Sequence, residues 1–292
     1  MNPLVFDRFK VLKKYQYLNN YQIEDRIDDS TIDNLCVIYC SSHGIYPDRK
    51  SAFYKAIVQE DRYEWKRNMI KTAKKSIFVR DLKKQWYLEG INQSVNSLSK
   101  LLDFLKKETT GMRLICIGNS AGGYLATLLG CELRASHVFS FSGQFSLYHY
   151  LNKEKSRVMN PILLKYEETQ IAKSFYSLTA IIESSQVPIF YFYPLGSQSD
   201  INQVLTIEGV TNIYKIPFNL SEHGKTCWPI NFSPLFKVDV FELKKLSEKF
   251  RDGVDPFCFS LHVSGYRKTL IFLTIQTLKM FWHSCRAKIK YL

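Results

Sequence analysis

Residues 114–129 read LICIGNSAGGYLATLL, and they predict a strand, a sharp turn and a helix in immediate succession. The opening apolar run is typical of a buried strand, and apolar residues return with helical spacing from Ala121 onward. Between them lies the pattern G-x-S-x-G, in which Gly118 and Gly122 let strand and helix approach closely. We therefore expect the hydroxyl of Ser120 to project at a helix N-terminus, where the helix dipole favours developing negative charge.

The composition is that of a globular chain with an excess of positive charge. Of the residues 46% are hydrophobic and 23% are charged, a composition that excludes a disordered chain. The length of 292 residues suffices for one large α/β domain or two small ones. The net charge is +13, to which residues 256–292 contribute six Lys and Arg and no acid. Such a balance favours an anionic partner: nucleic acid, acidic lipid, a phosphorylated cofactor or an acidic glycan.

The cysteines and the N-terminus bear on localisation. The seven cysteines have no zinc-site spacing, and most lie in apolar runs, as expected of reduced thiols in a cytosolic protein. No basic segment followed by a long apolar core opens the chain, so no secretory signal is evident. These features predict a cytoplasmic protein, with association at the inner face of a membrane as an open alternative.

Strands and helices are predicted to alternate along the chain after a β-rich start over residues 4–40. Strands are expected over 34–40, 76–80, 114–117, 137–142, 187–194 and 211–217, and helices over 91–107, 121–131, 201–209 and 241–250. This alternation predicts an α/β fold with a mostly parallel central sheet and helices on both faces. A charged helical insertion, residues 147–185, precedes the strand that leads to Asp200 and is a candidate lid. We expect a domain over residues 1–252 and a basic, apolar extension over 253–292.

Three loops that follow predicted strands carry the residue types of a serine nucleophile and its partners. A serine hydroxyl needs a base within hydrogen-bond reach and a group that orients the base. Ser120, Asp200 and His223 stand in the order nucleophile, acid, histidine, which is the order expected of a strand-to-helix elbow. Asp239 and Glu222 stay open as alternative acids.

A tetrahedral intermediate would also need donors for its oxyanion. The backbone N–H of Ala121, directly after the nucleophile, is one candidate. The loop after the strand at 34–40 offers a second, from the backbone around His43 and Gly44, where the glycine would let a substrate approach closely.

Together, Gly118-Asn-Ser-Ala-Gly122, His43-Gly44, Asp200 and His223-Gly224 resemble the α/β-hydrolase superfamily over roughly residues 34–250. The resemblance implies a Ser–His–Asp triad, an oxyanion hole from the two loops just named, and acyl-group chemistry without a metal or a permanently bound cofactor. A narrower resemblance is to the O-acetyltransferases of bacterial capsule and surface polysaccharides, which are cytoplasmic and use acetyl-CoA. The loop Ser41-Ser-His-Gly-Ile45 lacks the glycine run of many lipases, so the second oxyanion donor stays undetermined.

The predicted function is acyl transfer through a covalent intermediate on Ser120. The donor would be an ester or an acyl-CoA, and the acyl group would pass to water or to a sugar hydroxyl. The cytosolic character and basic charge favour an anionic surface glycan as acceptor. A non-catalytic module of this fold that binds glycan or protein is the rival from another class.

Two further segments could bind other partners. Residues 62–84 hold nine Lys and Arg beside Tyr63 and Trp65, which would suit nucleic acid, but no nucleic-acid motif is recognisable. A solvated helix face is the favoured interpretation, and a surface for an anionic substrate or the phosphates of CoA comes second. The apolar residues 270–282 are flanked by basic ones and are shorter than the roughly 20 needed to span a bilayer. Within 266–292, an interfacial helix on anionic lipid and a helix packed on protein both stay open.

Overall fold

The computed structural model describes residues 17–26, 34–47, 49–151 and 175–289, with side chains for all of these but 50, 151 and 283–289. Their centre is a seven-stranded sheet in the spatial order β1-β3-β2-β4-β5-β6-β7. All neighbouring strands run parallel except β1, which is antiparallel to β3. The strands are β1 (Tyr21–Asp25), β2 (Leu35–Cys40), β3 (Lys75–Val79), β4 (Arg113–Asn119), β5 (His137–Phe141), β6 (Ile189–Pro194) and β7 (Ile213–Phe218). The predicted α/β class with a mostly parallel sheet is thereby confirmed.

Helices cover both faces of the sheet, which explains why the central strands are apolar throughout rather than in alternation. Every residue of β2, β5 and β6 is buried. One face packs against α2 and α3, and the other against α8 and α9. The helices are α1 (Lys50–Tyr54), α2 (Leu98–Glu108), α3 (Ala121–Glu132), α4 (Tyr148–Leu151), α5 (Thr179–Ser185), α6 (Gln198–Thr206), α7 (Phe232–Leu235), α8 (Val240–Lys249), α9 (Pro256–Ser264) and α10 (Tyr266–Ile289).

The strand register brings several loops to one edge of the sheet. In the parallel ladder Cys40 of β2 lies opposite Gly118 of β4, which in turn lies opposite Ser140 of β5. Because these residues stand at or near the ends of their strands, the loops that follow emerge side by side. Parallel sheets gather ligand-binding loops at this carboxyl edge.

The helix predicted over 91–107 begins later than its apolar spacing suggested. Residues 91–97 form bends in which the Asn92 side chain accepts hydrogen bonds from the N–H groups of Ser94 and Val95. Helix α2 then starts at Leu98, capped by the Ser97 hydroxyl, which accepts from the N–H of Lys100 at 3.2 Å. The prediction is wrong for this turn because local side-chain-to-backbone hydrogen bonds compete with helix formation.

Two other local predictions need correction. The helix expected over 201–209 begins at Gln198, so Asp200 lies in its first turn rather than in a loop. The basic segment 62–84 is not a helix face, because it contains a short 3₁₀ turn at Lys66–Asn68 and the strand β3. The predicted lid, residues 147–185, is described only at its ends, in α4 and from residue 175 through α5.

The chain after residue 252 returns to the sheet before helix α10 begins. The N–H of Val254 donates to the carbonyl of Pro217, and Phe259 of α9 is buried against Phe192, Phe218 and Phe250. Helix α10 follows and carries many exposed apolar side chains. Among the described residues, no helix combines the length and the apolarity needed to cross a membrane.

Candidate active site

The turn between β4 and α3 holds Ser120 in a strained backbone conformation. Its φ of 51° and ψ of −120° lie outside the regions that side-chain-bearing residues ordinarily occupy. The crossing is tight: a Cβ on Gly118 would lie 2.0 Å from the carbonyl oxygen of Gly122, and one on Gly122 would lie 2.2 Å from that of Cys40. The N–H of Ser120 donates to the carbonyl of Phe141 at 2.8 Å. The surrounding backbone therefore holds the strain in place.

The structure brings Ser120, His223 and Asp200 into one hydrogen-bonded row. Oγ of Ser120 lies 2.8 Å from Nε2 of His223, and Nδ1 of the same imidazole lies 2.8 Å from Oδ2 of Asp200. Because a carboxylate only accepts, the imidazole proton belongs on Nδ1, which leaves Nε2 free to accept the serine proton. Ser120 lies in the β4–α3 turn, His223 in the segment after β7, and Asp200 in α6.

Asp200 is buried and is held on several sides. The hydroxyl of Ser197 donates to Oδ2 at 2.5 Å, and the position in the first turn of α6 favours a negative charge. The other carboxylate oxygen, Oδ1, is buried, and so is the hydroxyl of Tyr191, which makes a side-chain hydrogen bond with Asp200. Burial and the nearby Asp200 charge hold the pKa of Tyr191 well above its usual value, so this phenol stays protonated.

The two alternative acids have other partners. Asp239 is the N-cap of α8, where its side chain accepts from the N–H of Glu242 at 2.9 Å. Glu222 is exposed and pairs with Lys225 at 2.7 Å, although it adjoins the histidine in sequence. Of the three carboxylates considered, Asp200 is the one that contacts His223.

The predicted oxyanion donors lie around this turn. Ala121 opens α3, where the first N–H groups of a helix have no intrahelical acceptor. His43 and Gly44 belong to a short 3₁₀ turn, His43–Ile45, which follows β2. The chain before this turn packs on the elbow, since a Cβ on Gly122 would also lie 3.0 Å from the carbonyl carbon of Ser41.

The imidazole of His43 faces a buried carboxylate. Its Nε2 lies 3.2 Å from Oδ2 of Asp81, which also accepts from the N–H groups of Gln85 and Tyr87. Burial alone would raise the pKa of Asp81, but these hydrogen bonds and the charge of His43 outweigh it and lower that pKa. The ring therefore helps to fix the loop after β2.

Gln144 is a site residue that the sequence reasoning missed. Its Nε2 donates to Oγ of Ser120 at 3.3 Å, and its Oε1 accepts from Nε1 of Trp86 at 3.1 Å. The indole bond thus orients the amide with its donor toward the serine. Gln144 follows β5 closely, so the rule that reactive groups gather after parallel strands could have identified it.

A cavity of about 420 Å³ opens beside the row. Its wall includes Asn119 and Gly224, which adjoin Ser120 and His223 in the chain. Loss of solvent raises the pKa of the lining residue Glu64, an effect that hydrogen bonds from Ser42 and Asn119 partly offset. The remaining lining residues are largely aromatic or apolar: Trp65, Phe141, Leu220, Cys227, Trp228, Pro229, Phe232 and Pro256, together with Asn68, Lys225 and Thr226.

Much of the positive charge of the basic segment 62–84 is paired with acidic side chains of the same domain. The ion pairs among its described residues are Arg62 with Glu60, Lys66 with Glu24, Lys75 with Asp25 and Glu108, Arg80 with Asp61, and Lys83 with Glu89. Lys84 is buried and donates to the carbonyl of Tyr46. These pairs reduce the charge left for nucleic acid. Among the described residues, no cluster of three or more His, Cys, Asp or Glu side chains could hold a metal ion.

Comparison with known proteins finds relatives only at the level of the fold. No protein-family model matches the chain, and no curated protein sequence matches it. The chain is similar to α/β-hydrolase-fold structures, among them the capsule O-acetyltransferase of Neisseria meningitidis serogroup A, with 13% identity, 71% of this chain and 86% of that chain covered, and a TM-score of 0.46. MenH from S. aureus is similar as well, with 10% identity, 80% of this chain and 98% of that chain covered, and a TM-score of 0.43. So is an esterase/lipase from an uncultured bacterium, with 12% identity, 86% of this chain and 92% of that chain covered, and a TM-score of 0.42. At these identities the likeness concerns the fold alone.

Proposed function

We propose that this chain is a serine-dependent acyl-transfer enzyme that forms a covalent intermediate on Ser120. The observation that carries the proposal is the unbroken row from Oγ of Ser120 through the His223 imidazole to Asp200, with both contacts at 2.8 Å. Backbone strain at the serine supports a catalytic rather than a binding role, because such strain costs about 1–3 kcal/mol and clusters at reactive positions. A module that only binds glycan or protein has no need of this geometry.

In the proposed reaction, Oγ of Ser120 attacks the carbonyl carbon of an ester or thioester while Nε2 of His223 takes the hydroxyl proton. Asp200 keeps the imidazole in the required tautomer and stabilises its protonated form. The N–H of Ala121 and a backbone N–H near His43 or Gly44 would stabilise the oxyanion. Collapse of the intermediate expels the alcohol or thiol, which receives the proton from His223.

The second half of the reaction decides between transfer and hydrolysis. His223 would take a proton from the acceptor hydroxyl, whose oxygen attacks the acyl carbon and releases Ser120. We assign the cavity beside the elbow to the non-reacting part of the substrate, since its wall adjoins both residues. Aromatic faces with a few polar groups suit the apolar faces and polar edges of a sugar ring. A glycan hydroxyl is therefore the proposed acceptor, acetyl-CoA a proposed donor, and water the alternative acceptor.

The test compares wild-type protein with Ser120→Ala. Each protein is incubated with a chromogenic acetyl ester, and separately with labelled acetyl-CoA in the presence of candidate acidic glycans. Ester turnover, labelled glycan and an acetylated protein in intact-mass spectra are the three readouts. Ser99→Ala is the matched control, because Ser99 is exposed on α2 away from the site.

We expect wild type and Ser99→Ala to form the acyl-enzyme and Ser120→Ala to form none. Labelled glycan would identify transfer, whereas labelled acetate alone would identify hydrolysis. If wild type and Ser120→Ala turn over both donors equally, or if neither yields turnover or an acylated protein, the proposal is wrong.

A further inference from the structure

Helix α10 is attached to the domain along one side of its first turns. Thr269 is buried, and its hydroxyl lies 2.9 Å from that of Ser260 in α9. One turn later, the ring of Phe272 lies 5.3 Å from the ring of Trp228. From Thr277 to Trp282, all side chains are exposed.

The opposite side of the helix carries an outer stripe, which we define as Ile271, Ile275, Leu278 and Phe281. Their exposed fractions are 51%, 45%, 62% and 69%. Steps of three and four residues place them on one face, whereas the buried Thr269 and the half-buried Phe272 lie on the other. The helix is therefore apolar on two faces, of which the domain covers one.

The charge around the outer stripe has a single sign. No Asp or Glu follows Asp255 in the sequence, while six Lys and Arg do. Lys268 and Lys279 are exposed and, eleven residues apart, lie about three turns along the same flank of the helix. A second copy docked stripe to stripe would bring like charges together. An anionic lipid surface would complement them, and an apolar stripe flanked by basic residues is typical of helices that lie in the interface.

We propose that the outer stripe docks this protein on the surface of an anionic lipid bilayer. The stripe would enter the boundary between headgroups and acyl chains, and the basic flank would contact lipid phosphates. Trp228, which packs on Phe272, also lines the cavity beside Ser120. Docking through α10 would thus hold that cavity near the lipid surface, where a membrane-bound acceptor could reach it. The docking itself does not depend on the proposed catalytic function.

The test is sedimentation of the full-length protein with vesicles, which requires no catalytic activity. One vesicle preparation contains phosphatidylcholine alone, and the other contains equimolar phosphatidylcholine and phosphatidylglycerol. The stripe variant is Ile275→Glu combined with Leu278→Glu. Leu205→Glu is the matched control, since Leu205 is 61% exposed on another helix, α6.

We expect wild type and Leu205→Glu to bind the anionic vesicles, less so in high salt, and the stripe variant to bind at least tenfold more weakly. Lys268→Gln and Lys279→Gln should each weaken binding about fivefold. Retained binding by the stripe variant, or wild type that stays in the supernatant with anionic vesicles, would overturn the proposal. So would wild type that is dimeric by light scattering and becomes monomeric in the stripe variant, because a second copy would then be the occupant.

Discussion

The acid of the proposed triad is tested most sharply by Asp200→Asn. The substitution keeps the shape of the side chain but removes the charge that would face the protonated imidazole. With 2.8 Å between Asp200 Oδ2 and His223 Nδ1, and an effective dielectric constant of about 20, that interaction amounts to about 6 kcal/mol. An amide nitrogen facing Nδ1 would also move the imidazole proton to Nε2, where it blocks proton transfer from Ser120. We expect kcat to fall about 10⁴-fold, which corresponds to about 5 kcal/mol and agrees with the electrostatic figure.

The assay is turnover of the chromogenic acetyl ester, with thermal unfolding measured in parallel to show that the variant folds. Asp239→Asn is the matched control: the same substitution is made at an N-cap, where asparagine serves as well as aspartate. It should leave kcat unchanged. If Asp239→Asn abolished turnover while Asp200→Asn kept most of it, the assignment of the acid would be refuted despite the hydrogen bond to His223.

Three further variants probe other parts of the site and its support. Gln144→Leu removes the amide donor to Ser120, and we expect a five- to tenfold lower kcat/KM; an unchanged value would show that the amide does not act on the serine. Gly122→Ala places a Cβ against the Cys40 carbonyl and should destabilise the fold by about 1–3 kcal/mol in urea unfolding, and equal stability would contradict the tight crossing. Burial lowers the pKa of His137 from 6.5 to about 4. Because the unfolded state binds this proton at a higher pH than the folded state, the free energy of unfolding decreases as the pH falls from 6.5 toward 4. His137→Leu should flatten the stability–pH profile between these values, by up to about 3 kcal/mol, and a profile as steep as that of wild type would exclude His137 as the cause.

Local sequence chemistry was sufficient for several features of this protein. The β4–α3 turn was predicted correctly because its apolar run, glycines and helical spacing all lie within a few residues of one another. Helix α2 was misplaced at its start because its apolar spacing extends back to Ile91, while the side chains of Asn92 and Ser97 bind the backbone instead. Asp200 was expected in a loop and lies in the first turn of α6. Periodicity locates elements well and their ends poorly, because caps and turns depend on single hydrogen bonds.

The sequence by itself determined the residue types of the site and their order, since a nucleophile on a strand-to-helix turn already predicts an acid and then a histidine further on. Only the tertiary structure decided among Asp200, Asp239 and Glu222, because the distance from each to His223 depends on where the chain after β6 and β7 meets the sheet edge. The same holds for Gln144, whose contact with Ser120 depends on the register of β4 against β5. For α10 the sequence predicted an apolar helix flanked by basic residues. Its packing against α9 determines which face of this helix the domain covers. Periodicity defines the faces of a helix, and only its neighbours determine which face stays exposed.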